Sequence, residues 1–302
     1  MAAGKSQFDE FLAQEVKESK GLYFPVKTGL LVRMMTKKAP CSSLHPNPED
    51  EFCSPDVGPN YKIISAYQDE YLNNIKKAQN YFSGEPIIVE RLHPDGYRII
   101  NGHHRWAAAM RLGQPSIPIC IVNLTHDEDV EKILRQSGHT KRAAFDLDEV
   151  VFSLGDDPAK ERMLPFPWNK LYKERLRLGV PALFHFLSGH GYDIWVFTAQ
   201  YYSTDTIQHF FQKYHVKVDG VMTATGKRTR ASDSDGKKLE KMINSKYEST
   251  IHIDNDMVLQ TVSKTRQLRE FALSGDPAQW SADVMRVVEE LEKGEETEEE
   301  PS

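Results

Sequence analysis

The feature that most constrains this fold is a pattern in the second half of the chain, where three short apolar runs each end abruptly in acids or a hydroxyl. They occupy residues 145–150, 195–199 and 251–256. Such runs are typical of buried parallel strands, whose carboxyl ends form the ligand-binding edge of an open α/β sheet. Carboxylates gathered at one edge repel one another unless a cation lies between them. The pattern therefore predicts a divalent cation and phosphoryl-transfer chemistry.

Strand-like and helix-like segments alternate from residue 141 to residue 275. Helices are predicted over 181–189 and after Thr198. This alternation implies a parallel sheet with right-handed crossovers, hence an α/β domain. Residues 276–302 are predicted to form a C-terminal helix and then a disordered acidic tail.

The first half has a different organisation. Residues 1–60 are predicted to hold a polar helix, whose thin apolar face indicates weak docking or mobility, and then irregular chain. Residues 61–82 have helical periodicity. The remainder reads as a β-hairpin with its turn at residues 94–96, an alanine-rich helix and a last strand. We predict a small α+β domain over residues 61–140.

The composition limits the class of protein. The 302 residues carry a formal net charge of −6, which argues against a protein that coats nucleic acid. Cys41, Cys53 and Cys120 lack the paired spacing of a metal site and indicate reduced thiols. No apolar stretch approaches the ~18 residues that a membrane span needs. We therefore expect a cytoplasmic protein without a membrane partner.

The first acidic pair has the spacing of a catalytic pair. Asp146 and Asp148 are two residues apart on one predicted strand, so their side chains leave on the same face. One carboxylate can then attack a phosphorus atom while the other manages the proton of the leaving group. Thr198 is placed to supply a hydroxyl donor, and Lys237 or Lys238 an ammonium group.

The third strand end predicts the metal site. Asp254, with Asn255 or Asp256, would complete a Mg²⁺ site shared with the first acidic pair. A lone pair of this kind is weak evidence, because acids at strand ends often cap helices or form turns. The arrival of three such strand ends in order favours the catalytic interpretation.

These motifs carry a family resemblance. Residues 141–275 resemble the haloacid dehalogenase (HAD) superfamily of phosphohydrolases, whose four motifs occur in this order. The resemblance implies a Rossmann-like parallel sheet and a Mg²⁺ ion. It assigns the nucleophile to Asp146, the acid/base to Asp148, phosphoryl binding to Thr198, the third-motif lysine to Lys237 or Lys238, and metal binding to Asp254.

Two features qualify that resemblance. Glu149 and Val150 replace a frequent glycine and a frequent threonine of the first motif, although both variants fit active members. The insert after this motif is too short for a large cap, so the domain is expected to have little or no cap. An open site suits a phosphorylated protein tail or nucleic-acid end better than a small molecule.

A second motif, Gly102-His103-His104-Arg105, lies between a predicted strand and a predicted helix. Backbone N–H groups and the helix dipole favour an anion at such a position. Arg105 could grip a phosphate in bidentate fashion, and the histidines could donate to it or carry protons. On physical grounds alone, a tight turn at Gly102 followed by ordinary polar histidines is an equal alternative.

Residues 85–89, 96–97, 101–105 and 107–113 resemble the ParB/sulfiredoxin domain. The resemblance implies a nucleotide such as ATP, ADP or CTP over this loop, bound by Asn101, Gly102, His103, His104 and Arg105. Glu85 and residues 44–50 are candidates for the rest of the pocket. The sulfiredoxin cysteine is replaced by His103, and the helix-turn-helix of DNA-partition members is replaced by the phosphatase-like domain. Neither of those activities is expected.

Three hypotheses follow. The leading one is a Mg²⁺-dependent phosphomonoester hydrolase that works through an aspartyl-phosphate and carries a nucleotide-binding module. The second is a nucleotide-gated or DNA-associated ParB-like protein whose HAD-like domain is inactive. The third is a bifunctional protein with a kinase-like first half and a phosphatase second half. A nucleic-acid partner stays open.

Overall fold

A computed structural model of the chain describes residues 7–19, 21–77, 82, 84–152, 159–225, 241–263 and 267–299. The chain divides into two compact units, residues 1–123 and residues 124–302. Both are mixtures of helices and strands, in agreement with the predicted α/β class. Within the described ranges, no helix is long and apolar enough to cross a membrane.

The first unit is built on one mixed sheet. Its elements are α1 (Gln7–Ser19), β1 (Phe24–Pro25), α2 (Leu30–Met35), β2 (Lys38–Pro40), β3 (Leu44–His45), α3 (Tyr61–Lys76), β4 (Ile87–His93), β5 (Tyr97–Asn101), α4 (His103–Arg111) and β6 (Ser116–Ile121). The strand order is β2-β6-β4-β5-β3, and β1 pairs with the end of β4. Strands β4 and β5 form the predicted antiparallel hairpin, while β4 and β6 run parallel.

Helix α4 lies against this sheet on small side chains. Ala107, Ala108 and Ala109 are fully buried and pack in one cluster with apolar side chains of β4, β5 and β6. Helix α1 packs against α4 through its thin apolar face. Its Phe8 and Phe11 rings lie 6.1 and 6.4 Å from the Trp106 ring, so the thin apolar face is matched by one large buried indole.

The second unit holds a longer sheet. Its elements are α5 (Asp127–Gln136), β7 (Lys141–Asp146), α6 (Trp168–Leu171), α7 (Val180–Gly189), β8 (Tyr192–Phe197), α8 (Thr204–Lys213), β9 (Gly220–Met222), β10 (Ser249–Ile253), β11 (Met257–Val262), β12 (Gln267–Ala272) and α9 (Trp280–Glu299). A short helix covers residues 241–246. The strand order is β12-β11-β10-β7-β8-β9.

The predicted parallel sheet is one part of this larger sheet. Strands β10, β7, β8 and β9 are parallel, as the alternation of strands and helices predicts. Strands β11 and β12 then extend the edge in antiparallel fashion. Buried residues alternate with half-buried ones over the first four positions of β11, and half-buried residues alternate with exposed ones along β12, which is typical of strands with one covered face.

Helix α5 belongs to the second unit, whereas the sequence placed residues 127–136 in the first domain. Its Val130 and Leu134 are buried in one cluster with Trp195, Met222 and Tyr247. The apolar face of this strongly amphipathic helix therefore completes the core around β8 and β9. The division of the chain falls after residue 123 for this reason.

Candidate functional site

The carboxyl ends of three parallel strands meet at one edge of the second sheet. Asp146 pairs with Phe197 across β7 and β8, and Asp254 follows the β10 residue that pairs with Phe145. Neighbouring strands lie about 4.8 Å apart. Asp146, Thr198 and Asp254 are thus brought to one edge, as the strand-end pattern predicts.

Asp146 is held by the turn that follows it. Its Oδ1 accepts hydrogen bonds from the backbone N–H groups of Asp148 and Glu149, both at 2.8 Å. These residues belong to a π-helical turn over Leu147–Val151. Turns of this kind occur frequently at functional sites. The cap uses one carboxylate oxygen and fixes the direction of the side chain.

Asp148 is joined to the next strand by a short hydrogen bond. The Thr198 hydroxyl donates to Asp148 Oδ2 at 2.6 Å, and Thr198 is fully buried. Burial is the largest influence on Asp148 and raises the pKa of its carboxyl, and the charges of Asp146, Glu149 and Glu174 raise it further, against a lowering by the Thr198 bond. A carboxyl that protonates more readily than usual suits general acid/base work.

Asn255 has a different role from the predicted one. Its Oδ1 accepts from Arg177 Nη1 at 2.7 Å, and its Nδ2 donates to the carbonyl of Glu149 at 3.3 Å. The oxygen offered as a metal ligand therefore receives a cationic donor, and the side chain links two loops of the edge. Asp254 and Asp256 are both exposed, and Asp254 Oδ1 accepts from the Asn255 N–H at 2.7 Å.

The predicted Mg²⁺ ion would take its protein ligands from the carboxylates at this edge. Within the described ranges, no three His, Cys, Asp or Glu side chains form a metal-binding group. Mg²⁺ usually needs only one or two protein carboxylates, with waters and substrate phosphate as its other ligands. Asp146 and Asp254 at adjacent strand ends fit that smaller donor set. Lys237 and Lys238 lie outside the described residues.

The first unit places Arg105 in the wall of a cavity. Its Nη1 donates to the backbone carbonyl of Glu85, and its Nη2 donates to Asn101 Oδ1 at 3.2 Å. The guanidinium is thus fixed by two acceptors. Gly102 permits this approach, because a Cβ on it would lie 3.0 Å from Arg105 Nη2 and 3.2 Å from Ile87 Cγ1. Gly102 also has a φ of +103°, in the left-handed region that favours glycine.

The cavity has a volume of about 330 Å³, at the lower end of the range of small-ligand sites. Its walls combine one guanidinium, two carboxylates, an amide and three aromatic rings. The lining residues are Tyr67, Glu70, Tyr71, Phe82, Gly84, Glu85, Ile87, Asn101, Arg105, Ile117 and Pro118. A flat ring system carrying an anionic group would match this mixture of aromatic and cationic surface.

The two histidines of the motif contact the preceding loop and are not among the cavity-lining residues. His103 Nε2 accepts from the Asn47 N–H at 3.2 Å, and His104 Nε2 accepts from the Asn60 N–H at 3.1 Å. The Phe52 ring lies 5.3 Å from the His103 ring and 5.0 Å from the His104 ring. Burial lowers the pKa of His104. The predicted nucleotide residues therefore separate: Glu85, Asn101 and Arg105 line the cavity, while the histidines fasten the loop.

Two of the three cysteines are poor candidates for a nucleophile. Burial raises the pKa of Cys41 to about 11 and that of Cys53 to about 12, with the charge of Asp50 contributing to the latter. Both thiols stay protonated near neutral pH. Cys120 is exposed, and none of the three forms a disulfide.

Arg177 and Trp280 also contribute to the sheet edge, but neither belongs to the strand-end pattern that predicted the other residues of this edge. The Arg177 guanidinium lies 4.3 Å from the centre of the Trp280 ring. Trp280 Nε1 donates to the backbone carbonyl of Asp254 at 2.9 Å. Their roles come from positions distant in sequence, and only the folded chain brings them to the edge.

A known family model matches part of this chain. Residues 61–138 match the family model of the ParB N-terminal domain. Among solved structures, the chain is similar to the C-terminally truncated chromosome-partitioning protein ParB from Caulobacter crescentus, complexed to the centromeric parS site. The identity is 24%, the TM-score is 0.22, and the match covers 35% of this chain and 51% of that ParB chain. No curated protein matches. Residues 61–138 of this chain thus carry a ParB N-terminal domain.

Proposed function

We propose that the protein is a ParB-like nucleotide-binding module, with the nucleotide in the cavity beside Arg105. The observation that carries this proposal is the fixed guanidinium of Arg105 in a wall that also holds three aromatic rings. A pre-oriented guanidinium grips a phosphate with little loss of side-chain freedom. The aromatic rings provide surface for a base or ribose.

The start of helix α4 adds to this anion site. Gly102 precedes the helix and has no side chain to cap it, and its left-handed backbone brings the chain from β5 directly into the first turn. The positive end of the helix dipole therefore lies at the same corner as Arg105. In this proposal the histidines shape the site by fastening the loop over residues 44–60.

A titration tests the first proposal. ATP, ADP and CTP are titrated by calorimetry into the native protein, Arg105→Met and Arg111→Met. Arg111 is the matched control, because it lies on the same helix with its guanidinium 5.4 Å from the Tyr61 ring and does not line the cavity. Loss of Arg105 should weaken binding at least about tenfold, the effect of one charge-assisted hydrogen bond. Native-like affinity in Arg105→Met would contradict the proposal.

DNA association is the alternative for the same domain, since the ParB relative was solved on its centromeric DNA. To test this alternative, the native form of the present protein is titrated with duplex DNA at two salt concentrations. Binding through phosphate contacts would weaken steeply with salt. The net charge of −6 argues against a non-specific mode, so only sequence-dependent binding would favour this alternative.

A second candidate function, favoured by a separate observation, is phosphomonoester hydrolysis at the sheet edge. The observation is the 2.6 Å bond between Thr198 and Asp148 beside the capped Asp146. In the proposed reaction, Asp146 Oδ2 attacks phosphorus and the bond to the ester oxygen breaks. Protonated Asp148 gives its proton to the departing oxygen. Asp148 then takes a proton from water, whose oxygen attacks the aspartyl-phosphate and releases phosphate.

The remaining groups would stabilise charge. The Thr198 hydroxyl would contact the phosphoryl group, and its position is fixed by its bond to Asp148 and by the Gln200 N–H, which donates to Thr198 Oγ1 at 3.0 Å. Asp146 and Asp254 would hold the Mg²⁺ ion, which neutralises the phosphate oxygens when bound. Asn255 would act from outside the metal shell.

Turnover of an aryl phosphate tests the second candidate. The native protein, Asp146→Asn and Asp276→Asn are compared with and without Mg²⁺. Asp276 is an exposed acid in the turn before α9, where its Oδ1 accepts from the Ala278 N–H, a bond that asparagine retains. Mg²⁺-dependent turnover that only Asp146→Asn abolishes would support a hydrolase. Nucleotide binding without turnover would favour the inactive second domain, and phosphate transfer from ATP to a hydroxyl compound the bifunctional hypothesis.

A further inference from the structure

Four chain segments meet around Arg177 at the sheet edge. The Arg177 N–H donates to the carbonyl of Val151 at 2.9 Å, which fixes its backbone to the end of the π-helical turn. Its guanidinium donates to Asn255, which in turn donates to the carbonyl of Glu149 in the same turn. These three bonds close a ring between the turn after β7 and the loop after β10.

Two contacts of Trp280 hold the other side of this ring. Trp280, at the start of α9, stacks on the Arg177 guanidinium and donates to the Asp254 carbonyl. Arg177 is 9% exposed and Trp280 is 1% exposed, so both contacts lie in the interior. The Asp254 backbone is thus held by the indole on one side, and its neighbour Asn255 by the guanidinium on the other.

We propose that Arg177 is a positioning residue that sets the separation of the Asp146 and Asp254 carboxylates through Asn255. The proposal rests on the hydrolase candidate above. Asp146 is fixed by the turn that contains Glu149, and Asp254 by the loop that contains Asn255. The closed set of three hydrogen bonds through Arg177 joins this turn to this loop. Without these bonds, both carboxylates would still lie at the ends of their strands, but the distance between the turn and the loop that support them would no longer be fixed.

The chemistry of Arg177 fits this role better than that of a substrate ligand. Its guanidinium is covered by the Trp280 ring and directed to an amide oxygen. A planar fork can stack on an indole and donate in its own plane at the same time, which an ammonium group cannot do. Lysine should therefore restore only part of the function.

Metal binding tests this proposal independently of turnover. Mn²⁺, a paramagnetic substitute for Mg²⁺, is titrated by electron paramagnetic resonance into the native protein, Arg177→Met and Arg177→Lys. Arg175→Met is the matched control, since Arg175 lies two residues away and donates from Nε and Nη2 to the Glu161 carbonyl at 2.9 and 2.6 Å. Loss of an outer-shell support typically weakens metal binding about 10- to 100-fold. We expect such a loss in Arg177→Met, an intermediate value in Arg177→Lys and a native value in Arg175→Met.

A double-mutant cycle separates positioning from general damage. Because Arg177 is proposed to act through Asn255, adding Arg177→Met to Asn255→Ala should cost no further Mn²⁺ affinity. Additive losses, or native affinity in Arg177→Met, would overturn the proposal, as would a native protein that binds no Mn²⁺. A native protein that binds Mn²⁺ in an Arg177-dependent way but hydrolyses no aryl phosphate would refute the hydrolase candidate while supporting the positioning role.

Discussion

Asp148 accepts a 2.6 Å hydrogen bond from Thr198, a residue that follows the neighbouring parallel strand. This single bond joins the ends of β7 and β8 and places a buried hydroxyl against a half-buried carboxyl. Burial raises the pKa of Asp148 more than the hydroxyl lowers it. Keeping a readily protonated acid at the sheet edge therefore lowers the stability of the folded protein, which is a common feature of functional sites.

Asp148→Asn should raise stability while removing activity. Because the pKa of Asp148 is raised in the folded state, the folded chain binds more protons than the unfolded chain above pH 3.8, the ordinary value. The stability that this group contributes is therefore lost as pH rises through that window. At pH 7 the variant should melt at a higher temperature and lose about 10²–10⁴ in aryl-phosphate turnover, if the second candidate function holds. An unchanged or lower melting temperature at pH 7 would contradict this, with Asp276→Asn as the neutral reference.

His104 should make the first unit sensitive to acid. Burial lowers its pKa below 6.5, so the unfolded chain binds more protons than the folded chain between the two values. Stability should then fall as pH decreases from about 6.5, the unperturbed histidine pKa, because a protonated ring can no longer accept from the Asn60 N–H. His104→Gln keeps an acceptor that does not titrate. Denaturant unfolding at pH 7 and pH 5 should show a smaller difference in this variant, and an identical difference would refute the assignment.

Gly102→Ala should disrupt both the backbone and the Arg105 site. A left-handed alanine costs about 1 kcal/mol in backbone strain, and its Cβ would also press on Arg105 and Ile87. Gly113 is a matched control, since it has a φ of +65° but no atom within 4 Å of an added Cβ. Gly113→Ala should show the strain alone. Gly102→Ala should lose more stability, and nucleotide affinity as well. Equal stability losses in the two variants would show that the close approach to Arg105 is unimportant.

Tyr247→Phe should destabilise the second unit by about 1–3 kcal/mol, the usual cost of leaving buried polar groups without a partner. The Tyr247 hydroxyl donates to Asp193 at 2.6 Å and accepts from Trp195 Nε1 at 3.0 Å. Asp193 is 3% exposed, and Trp195 is fully buried. Tyr214 is only half-buried, so water can replace its hydrogen bonds to the Arg162 carbonyl and the Leu176 backbone, and Tyr214→Phe should cost less. Chemical denaturation of both variants checks the order.

The strand ends were predictable because their signal is local. Each apolar run needed by the buried parallel strands is contiguous in sequence, and so is the acid or hydroxyl that follows it. The sequence accordingly predicted that Asp146, Thr198 and Asp254 would share an edge. The β4–β5 hairpin was predictable for the same reason, since its turn lies between two adjacent runs.

The supports of the sites were not predictable, because they depend on contacts between distant segments. Arg177 and Asn255 are 78 residues apart. The strand-end pattern proposed the Asn255 amide oxygen as a metal ligand, whereas in the fold this oxygen accepts a hydrogen bond from the Arg177 guanidinium. Similarly, His104 and Asn60 are 44 residues apart, so nothing in the motif revealed that its histidines fasten a loop. The predicted boundary near residue 140 was based on a change in sequence pattern. The fold divides after residue 123, because helix α5 packs within the second unit.

The membership of helix α5 decides how this protein can be dissected. The match to the ParB N-terminal domain runs to residue 138, and a fragment that ended there would carry α5 away from Trp195, Met222 and Tyr247. Its Val130 and Leu134 would then form an exposed apolar surface that favours aggregation. The complementary fragment would expose the apolar side chains that they contact. Laboratory fragments cut between residues 123 and 124 would instead keep both cores whole.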